Sequence, residues 1–457
     1  MAIEIKKLYQ EFLAYAFSKE EIEINGWIRN NRSQKEFGFI DLNDGTAFES
    51  VQVVYESTLE NFKEISKFRV GSSISVKGLV VFTPDMKQPF EIKATDITLE
   101  GDSLDDYPIQ PKRHSREFLR ENAHLRPRTN LFSAVFRVRS VVSYSIHKFF
   151  QEQGFIYLHA PLITASDAEG AGEMFQVTTL NGKKPEDNYS NDFFGKKTNL
   201  SVSGQLQAEA YALAFKNVYT FGPTFRAENS NTPRHASEFW MIEPEIAFAD
   251  LKDDMALAEA MVKYIIKDLF NTCESELKFF DQFVEKGLIN KLKKVLESKF
   301  VVITHKEAID ILFANSKDFE VKPLQEQDLA TEHEKFITKF FDGPVFVTDW
   351  PKDIKAFYMR MNDDGETVAA MDLLVPGAGE LMGGSQREER LEYLEKRMKE
   401  MKIDDKDLWW YKDLRKYGGC KHAGFGMGLE RMIMYVTGID NIRDVLPFPR
   451  TPKKCDF

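Results

Sequence analysis

Arginines set beside a carboxylate and an aromatic, and glycines that empty one face of a strand, are the residues of this chain that could do chemistry. Arg226 stands two residues before Glu228 in Phe225-Arg226-Ala227-Glu228-Asn229-Ser230-Asn231-Thr232, and Phe239 opens the run Phe239-Trp240-Met241-Ile242-Glu243-Pro244-Glu245. Far downstream, Gly424, Gly426 and Gly428 alternate, and Arg431 follows the last of them. Glycines at i, i+2 and i+4 of a strand leave one face without side chains, so a flat ring can lie against the backbone. The spacing Gly-x-Gly-x-Gly-x-x-Arg matches neither the dinucleotide fingerprint nor the phosphate-cradling loop with its Lys-Ser/Thr. An arginine holds a permanent charge in a fork that fits phosphate oxygens. Together these residues describe a nucleotide site. A third constellation, Asp372 and then Glu380 ahead of Gly383-Gly384-Ser385-Gln386-Arg387, adds two carboxylates. Near a triphosphate such a pair implies Mg2+, which binds through one or two carboxylates and phosphate oxygens; two surface acids are the plain alternative.

Two strands must present the first group. Tyr219, Phe221 and Phe225 before the polar segment 229–237, and Phe239, Trp240, Ile242, Ile246 and Phe248 after it, predict a hairpin with a long loop. With a side-chain period of two, Thr224, Arg226 and Glu228 share a face, as do Phe239, Met241, Glu243 and Glu245. A surface hairpin with cross-strand ion pairs is the competing reading. The run Leu429–Val436 predicts a helix that sets Arg431 near backbone N–H groups and a dipole favouring anions. Ser203 is placed to cap a helix starting near Gly204, with Gln205, Ala208 and Glu209 on one face and Leu206, Ala210 and Leu213 on another.

Upstream, Leu131, Val135, Val138, Val142 and Ile146 predict a long helix over 130–153, leading into Gly154-Phe155-Ile156-Tyr157-Leu158-His159-Ala160-Pro161. Five short strand patterns between Glu20 and Glu100 suit a small barrel. Trp27 and Arg29 share a face there, as do Phe37 and Phe39; they form either a stacking platform for single-stranded bases or part of the core. Between them, Lys112, Arg113, His114, Arg116, Arg120, Arg126 and Arg128, punctuated by Pro108, Pro111 and Pro127, make a basic hinge. With 457 residues, two or three domains are expected. The boundaries drawn are a barrel with an N-terminal helix over 1–105, the hinge over 106–130 and an α/β (α+β) catalytic domain over 131–457, with insertions near 182–199 and 250–345.

The formal net charge of −11 argues against a protein that coats nucleic acid indiscriminately, while allowing a local basic surface. Cys273, Cys420 and Cys455 form no CxxC pair, so neither a disulfide framework nor structural zinc is indicated. The amino terminus lacks a signal-peptide core, and no apolar run is long enough for a bilayer; a cytoplasmic protein is expected, with no membrane association.

The hairpin and the glycine strand resemble motifs 2 and 3 of the class II aminoacyl-tRNA synthetases, and Gly154 to Pro161 resembles motif 1. The motif 2 segments and the near-terminal Pro447-Phe448-Pro449-Arg450-Thr451-Pro452 are similar to the asparaginyl members of the aspartyl, asparaginyl and lysyl branch. The likeness covers almost the whole chain. It implies a class II catalytic domain with a mainly antiparallel sheet preceded by an OB-fold anticodon domain. It further implies ATP as substrate, Mg2+, tRNA(Asn) and L-asparagine as partners, and a homodimer formed through motif 1. By resemblance, Arg226 holds the α-phosphate, Glu228 and Phe239 hold the adenine, and Arg431 packs on the adenine and reaches the γ-phosphate. His235, Gly426 and Gly428 join this ATP site. Glu380 and Asp372 match metal positions, though one extra residue separates them here. Glu169 and Gln205 match positions for the amino acid's backbone groups, while Arg29, Phe39 and Gln52 match anticodon contacts.

Three rivals remain at this stage: an aspartyl enzyme, the amide-forming asparagine synthetase that shares the catalytic fold but has no anticodon barrel, and a non-catalytic RNA-binding paralogue, which predicts loss of Arg226 or Arg431. Aspartyl relatives carry Ser-Pro-Gln-Leu-x-Lys, whose lysine pairs the substrate carboxylate. This chain reads Ser203-Gly204-Gln205-Leu206-Gln207-Ala208 and lacks that cation. Arg387 can donate to a side-chain oxygen, and Glu209 is expected to accept from an amide and repel a carboxylate, which favours asparagine.

Overall fold

The computed structural model describes the chain except Met1, Lys87, Asp404 and the stretches 167–172, 181–188 and 316–318. It divides into two compact units, Met1–Ala134 and Val135–Phe457. In the first, β1 (Ile22–Ser33), β2 (Phe37–Asn43), β3 (Val51–Glu56), β4 (Ser73–Phe82) and β5 (Phe90–Gly101) close a barrel in the order β1-β2-β3-β5-β4. Strict alternation directs Ile22, Ile24 and Ile28 inward and Glu23, Asn25 and Trp27 outward. Trp27 is 42% exposed, which removes it from the core. Helix Ile5–Ser18 contributes Ile5 and Leu8 to the barrel core. The hinge is more than a solvated linker. Helix Arg116–Glu121 is capped by Ser115, Leu119 and Ala123 are buried, and the buried Arg126 guanidinium lies 4.3 Å from the Phe132 ring centroid.

The second unit is built on an eight-stranded sheet. Its strands are β6 (Ile156–Leu158), β10 (Asn217–Phe225), β11 (Glu238–Ala247), β12 (Val301–Thr304), β13 (Val345–Pro351), β14 (Thr367–Val375), β15 (Gly379–Gln386) and β16 (His422–Gly428). Strands β7 (Ile163–Thr164), β8 (Gln176–Val177) and β9 (Thr198–Leu200) form a separate small sheet. The large sheet runs β12-β13-β14-β15-β16-β11-β10-β6, antiparallel except for the pairs β12/β13 and β10/β6 at its ends. Its apolar faces are covered by helices. Leu257, Met261, Ile265 and Leu269 of helix Leu251–Thr272 recur at four-residue spacing and are buried, and Asp250 and Asp253 close a capping box at its start.

The stretch 250–345 is therefore integral to the sheet. Its strand β12 pairs with β13, and Ala308, Ile309, Leu312 and Ile337 from its helices pack on Val345, Val347, Ala370 and Leu374. The predicted long helix runs Asn130–Glu152. The helix after Ser203 is Gln205–Phe215, but its N-cap is Gly204, because the Ser203 hydroxyl is turned to Glu243 while also accepting from Gln205 N. Among the described residues no helix is long and apolar enough to cross a membrane.

Candidate active site

The hairpin β10/β11 and the glycine strand β16 meet as neighbours in the middle of the sheet, with Met241 opposite Gly428 and Glu245 opposite Gly424. The three glycines serve different ends. A Cβ on Gly424 would lie 2.4 Å from Glu245 Oε1, so this glycine admits a carboxylate. At Gly426 the missing side chain makes room for Met241, whose Cε would be 2.9 Å away, while at Gly428 the nearest atom is 3.8 Å distant. Gly426 and Gly428, and not Gly424, line a cleft together with Arg226, Glu228, Arg234, His235, Phe239 and Met241 from the hairpin, Glu380 from β15 and Arg431.

Strand β10 ends at Phe225, so Arg226 and Glu228 lie beyond it rather than continuing its face; Arg226 N is held by the Ser237 carbonyl at 3.0 Å. The Arg226 guanidinium stands 5.4 Å from the centre of the Phe239 ring. Arg431, in the first turn of helix Leu429–Thr437, pairs with Glu380 Oε2 at 3.0 Å and donates to its carbonyl at 3.3 Å. Burial opposes ionisation of Glu380, but the Arg431 charge outweighs it and holds the carboxyl below its usual range. Next to it in the sequence, Glu430 accepts from Trp240 N at 3.0 Å and pairs with Arg139 at 2.7 Å, fixing the helix to β11.

Asp372 on β14 and Glu380 on β15 face a common point. A Cβ on Gly383 would be 3.1 Å from Asp372 Oδ1 and 3.7 Å from Glu380 Oε1. The second Asp372 oxygen is bound by Lys355 at 2.8 Å, and the Lys355 ammonium lies 3.9 Å from the Trp350 ring centroid. Burial lifts the Asp372 carboxyl to about 6 against the pull of Lys355. The extra residue between the two acids is absorbed by an irregularity between Leu373 and Leu374 in the β14/β15 register.

Behind the cleft lies a fully buried ionic network. Arg387 donates through Nε and Nη2 to Glu245 and through Nη1 to Ser385 Oγ, the last at 2.9 Å. Burial pushes the Glu245 carboxyl up to about 7, against the Arg387 charge. Glu209 receives Arg415 Nη2 at 2.8 Å, Tyr411 OH at 2.8 Å, His422 Nε2 at 2.8 Å and Gln205 Nε2 at 3.1 Å. Burial opposes its ionisation, yet Arg415 and His422 prevail and hold it well below the usual carboxylate range. The expectation that Glu209 offers an oxygen directly to an amide is thus revised. Glu209 has no exposed surface, and four side chains already occupy its oxygens. Gln205 is likewise buried against it. Glu169, expected beside the amino acid, lies outside the described residues, as do residues 182–188 of the predicted 182–199 insertion.

In the barrel unit, Phe39 and Phe37 are half-buried and meet edge to face at 5.4 Å, with Arg32 5.8 Å from the Phe39 centroid. Gln52 pairs with Glu91 at 3.2 Å on the outer surface. Arg29 departs from this face: its guanidinium is spent on the Arg128 carbonyl and, at 3.5 Å, on Asn43 Oδ1.

Several residues of these sites escaped the sequence reading. Arg415 pairs with Glu209, far away in the chain, and its only local signal is the i,i+4 spacing from Tyr411. Arg234, inside the hairpin loop, and Glu334, inside the stretch read as an insertion without chemistry, gave no signal beyond their charge.

A mainly antiparallel sheet whose central strands bring arginines, a ring and carboxylates around one cleft is the arrangement of a nucleotide-activating catalytic domain. Residues 115–452 match the sequence-family model described as tRNA synthetases class II (D, K and N), and residues 22–100 match OB-fold nucleic acid binding domain. The chain belongs to that class II family. It is 62% identical over 465 residues to the asparagine–tRNA ligase of Acholeplasma laidlawii, with all of both chains covered. It is 61% identical over 460 residues to that of Clostridium botulinum, with 99% of each covered. Its structure is similar to that of the Pyrococcus horikoshii asparaginyl-tRNA synthetase complexed with asparaginyl-adenylate, at a TM-score of 0.88 and 31% identity, covering 100% of this chain and 99% of the other.

Proposed function

We infer that this protein joins L-asparagine to tRNA(Asn) in two steps driven by ATP. The reading rests on one cleft that gathers Arg226, Phe239, Glu380, Gly426, Gly428 and Arg431, in a chain that matches asparagine–tRNA ligases along its whole length. In the first step a carboxylate oxygen of asparagine attacks the α-phosphorus of ATP, the bond to the bridging oxygen breaks, and pyrophosphate leaves. Negative charge builds on the pentacovalent phosphorus and on the leaving group, so fixed cations suffice and no covalent nucleophile is required. Arg226 is assigned to the α-phosphate, Phe239 and Glu228 to the adenine, and His235 and Arg431 to the distal phosphates and ring. In the second step a hydroxyl of the terminal tRNA ribose attacks the adenylate carbonyl carbon and AMP departs.

The carboxylate oxygens of Asp372 and Glu380 that converge over Gly383 are hard donors, a set that fits Mg2+ once phosphate oxygens complete the shell. Bound there, the ion would neutralise charge on the phosphoryl oxygens. Lys355 and Arg431, holding the other oxygens of these acids, keep both carboxylates aimed.

Asparagine is favoured over aspartate because the buried cations near Arg387 are already matched by Glu245 and Glu209. A neutral amide enters without changing the balance; a second carboxylate would add an unmatched charge in a low dielectric. Pairing of two copies through helix Asn130–Glu152 and β6 belongs to the same proposal, supported by the exposed Tyr144, Ile156, Leu162 and Ile163. The test is ATP–pyrophosphate exchange with each amino acid. Exchange driven by asparagine and not by aspartate is expected; equal rates with both would overturn the assignment.

A further inference from the structure

Glu334 belongs to the helix Thr331–Phe340, in a stretch whose sequence carries no chemical pattern, yet its carboxylate reaches the edge of the nucleotide cleft. Its Oε2 accepts from Glu380 N at 3.2 Å and pairs with Arg234 Nη1 at 3.5 Å. The same Arg234 nitrogen lies 3.4 Å from Thr331 Oγ1, one turn earlier on that helix. The approach is close: Gly379 has φ +81°, and a Cβ there would stand 2.2 Å from Glu334 Oε2. One buried carboxylate thus ties the hairpin loop, which carries Arg234 into the cleft, to the start of β15, which carries Glu380. The loop is otherwise held to the sheet side by Pro233 O accepting from Ile442 N at 2.8 Å and by Arg450 O accepting from Ser237 N at 2.8 Å.

We propose that Glu334 is a positioning residue for ATP, latching Arg234 and the Glu380 strand in the arrangement that receives the triphosphate. The inference rests on the assignment of this cleft to ATP. A charged hydrogen bond lost at such a latch weakens what it positions by about tenfold or more. Glu334→Ala should raise the KM for ATP in pyrophosphate exchange by about tenfold, with the KM for the amino acid within about twofold of the parent. Glu334→Gln keeps an acceptor for Glu380 N and loses the charge facing Arg234, so it should fall between the two. Because Glu334 acts in part through Arg234, the variant Arg234→Ala/Glu334→Ala should lose less than the sum of the two single changes. Full additivity of the two changes, an equal rise in both KM values, or unchanged kinetics would overturn the proposal. Should Glu334→Ala fail to fold, Glu334→Gln decides by the same criterion. The assay is run with whichever amino acid drives exchange in the parent, so a wrong substrate assignment would appear in the parent protein and leave the latch separately decided.

Discussion

At the scale of single residues, the cleft works through charges whose neighbours fix their direction. Arg431 has Glu380 to hold it and Arg226 has Phe239 beneath it. Arg226→Ala or Arg431→Ala should therefore lower kcat/KM for pyrophosphate exchange by on the order of a hundredfold or more, while melting temperature changes little, since each charge matters most in the transition state. Retained exchange would refute the roles given to them. Glu209 is different in kind. Glu209→Gln leaves Arg415 buried without its counter-charge, at a cost of about 3 kcal/mol or more, so a lower melting temperature and a higher KM for asparagine are expected together. A variant that melts like the parent would show that the network is slack. The sequence exposed the first group because spacing is local: a strand period carries Phe239, and alternate glycines carry Gly426 and Gly428. It hid the pairings of Glu245 with Arg387 and of Arg415 with Glu209, whose partners are 142 and 206 residues apart in the chain. No periodicity encodes such a pairing.

At the scale of elements, neighbouring strands decide what two acids can do. Asp372 and Glu380 are brought together by the antiparallel pairing of β14 and β15, and the register irregularity accommodates their unusual separation. Asp372 has a folded-state pKa of about 6, raised from 3.8 by burial. Its contribution to stability is thus fully present below the lower value and is lost as pH rises through the higher one. Binding of Mg2+ requires the ionised form and releases that proton. The rise in melting temperature produced by Mg2+ with ATP should then shrink as pH falls between roughly 7 and 5, where Asp372 becomes protonated. A rise that does not vary with pH over that window would exclude Asp372 from the ion's shell. The elements themselves were largely legible: the hairpin and the long helix follow from apolar spacing and the glycine strand from its alternate glycines. Within 250–345 the helix carrying Leu257, Met261, Ile265 and Leu269 follows the same apolar spacing, but β12 does not, because it finds its place only by pairing with β13, and short edge strands leave little trace in composition.

At the scale of the whole molecule, the segment matching the OB-fold nucleic acid binding model lies in one compact unit and the proposed nucleotide cleft in the other. Phe39→Ala should remove about 1–3 kcal/mol of base stacking, or about a five- to hundredfold loss in aminoacylation, while exchange without tRNA continues unchanged. A parallel fall in both activities with the barrel still folded would remove Phe39 from the anticodon surface. The order of the large sheet carries one more consequence. Strand β16 lies between β15 and β11, although it follows both in the chain and is separated from β11 by the whole of residues 248–421. On the ribosome, every other strand of this sheet emerges before the one that joins its two halves. Until that strand arrives, β11 and β15 each present a bare edge to solvent, and the nascent chain passes through a long interval in which it is a target for chaperones or for its own kind. A premature stop anywhere before residue 422 would make that interval permanent.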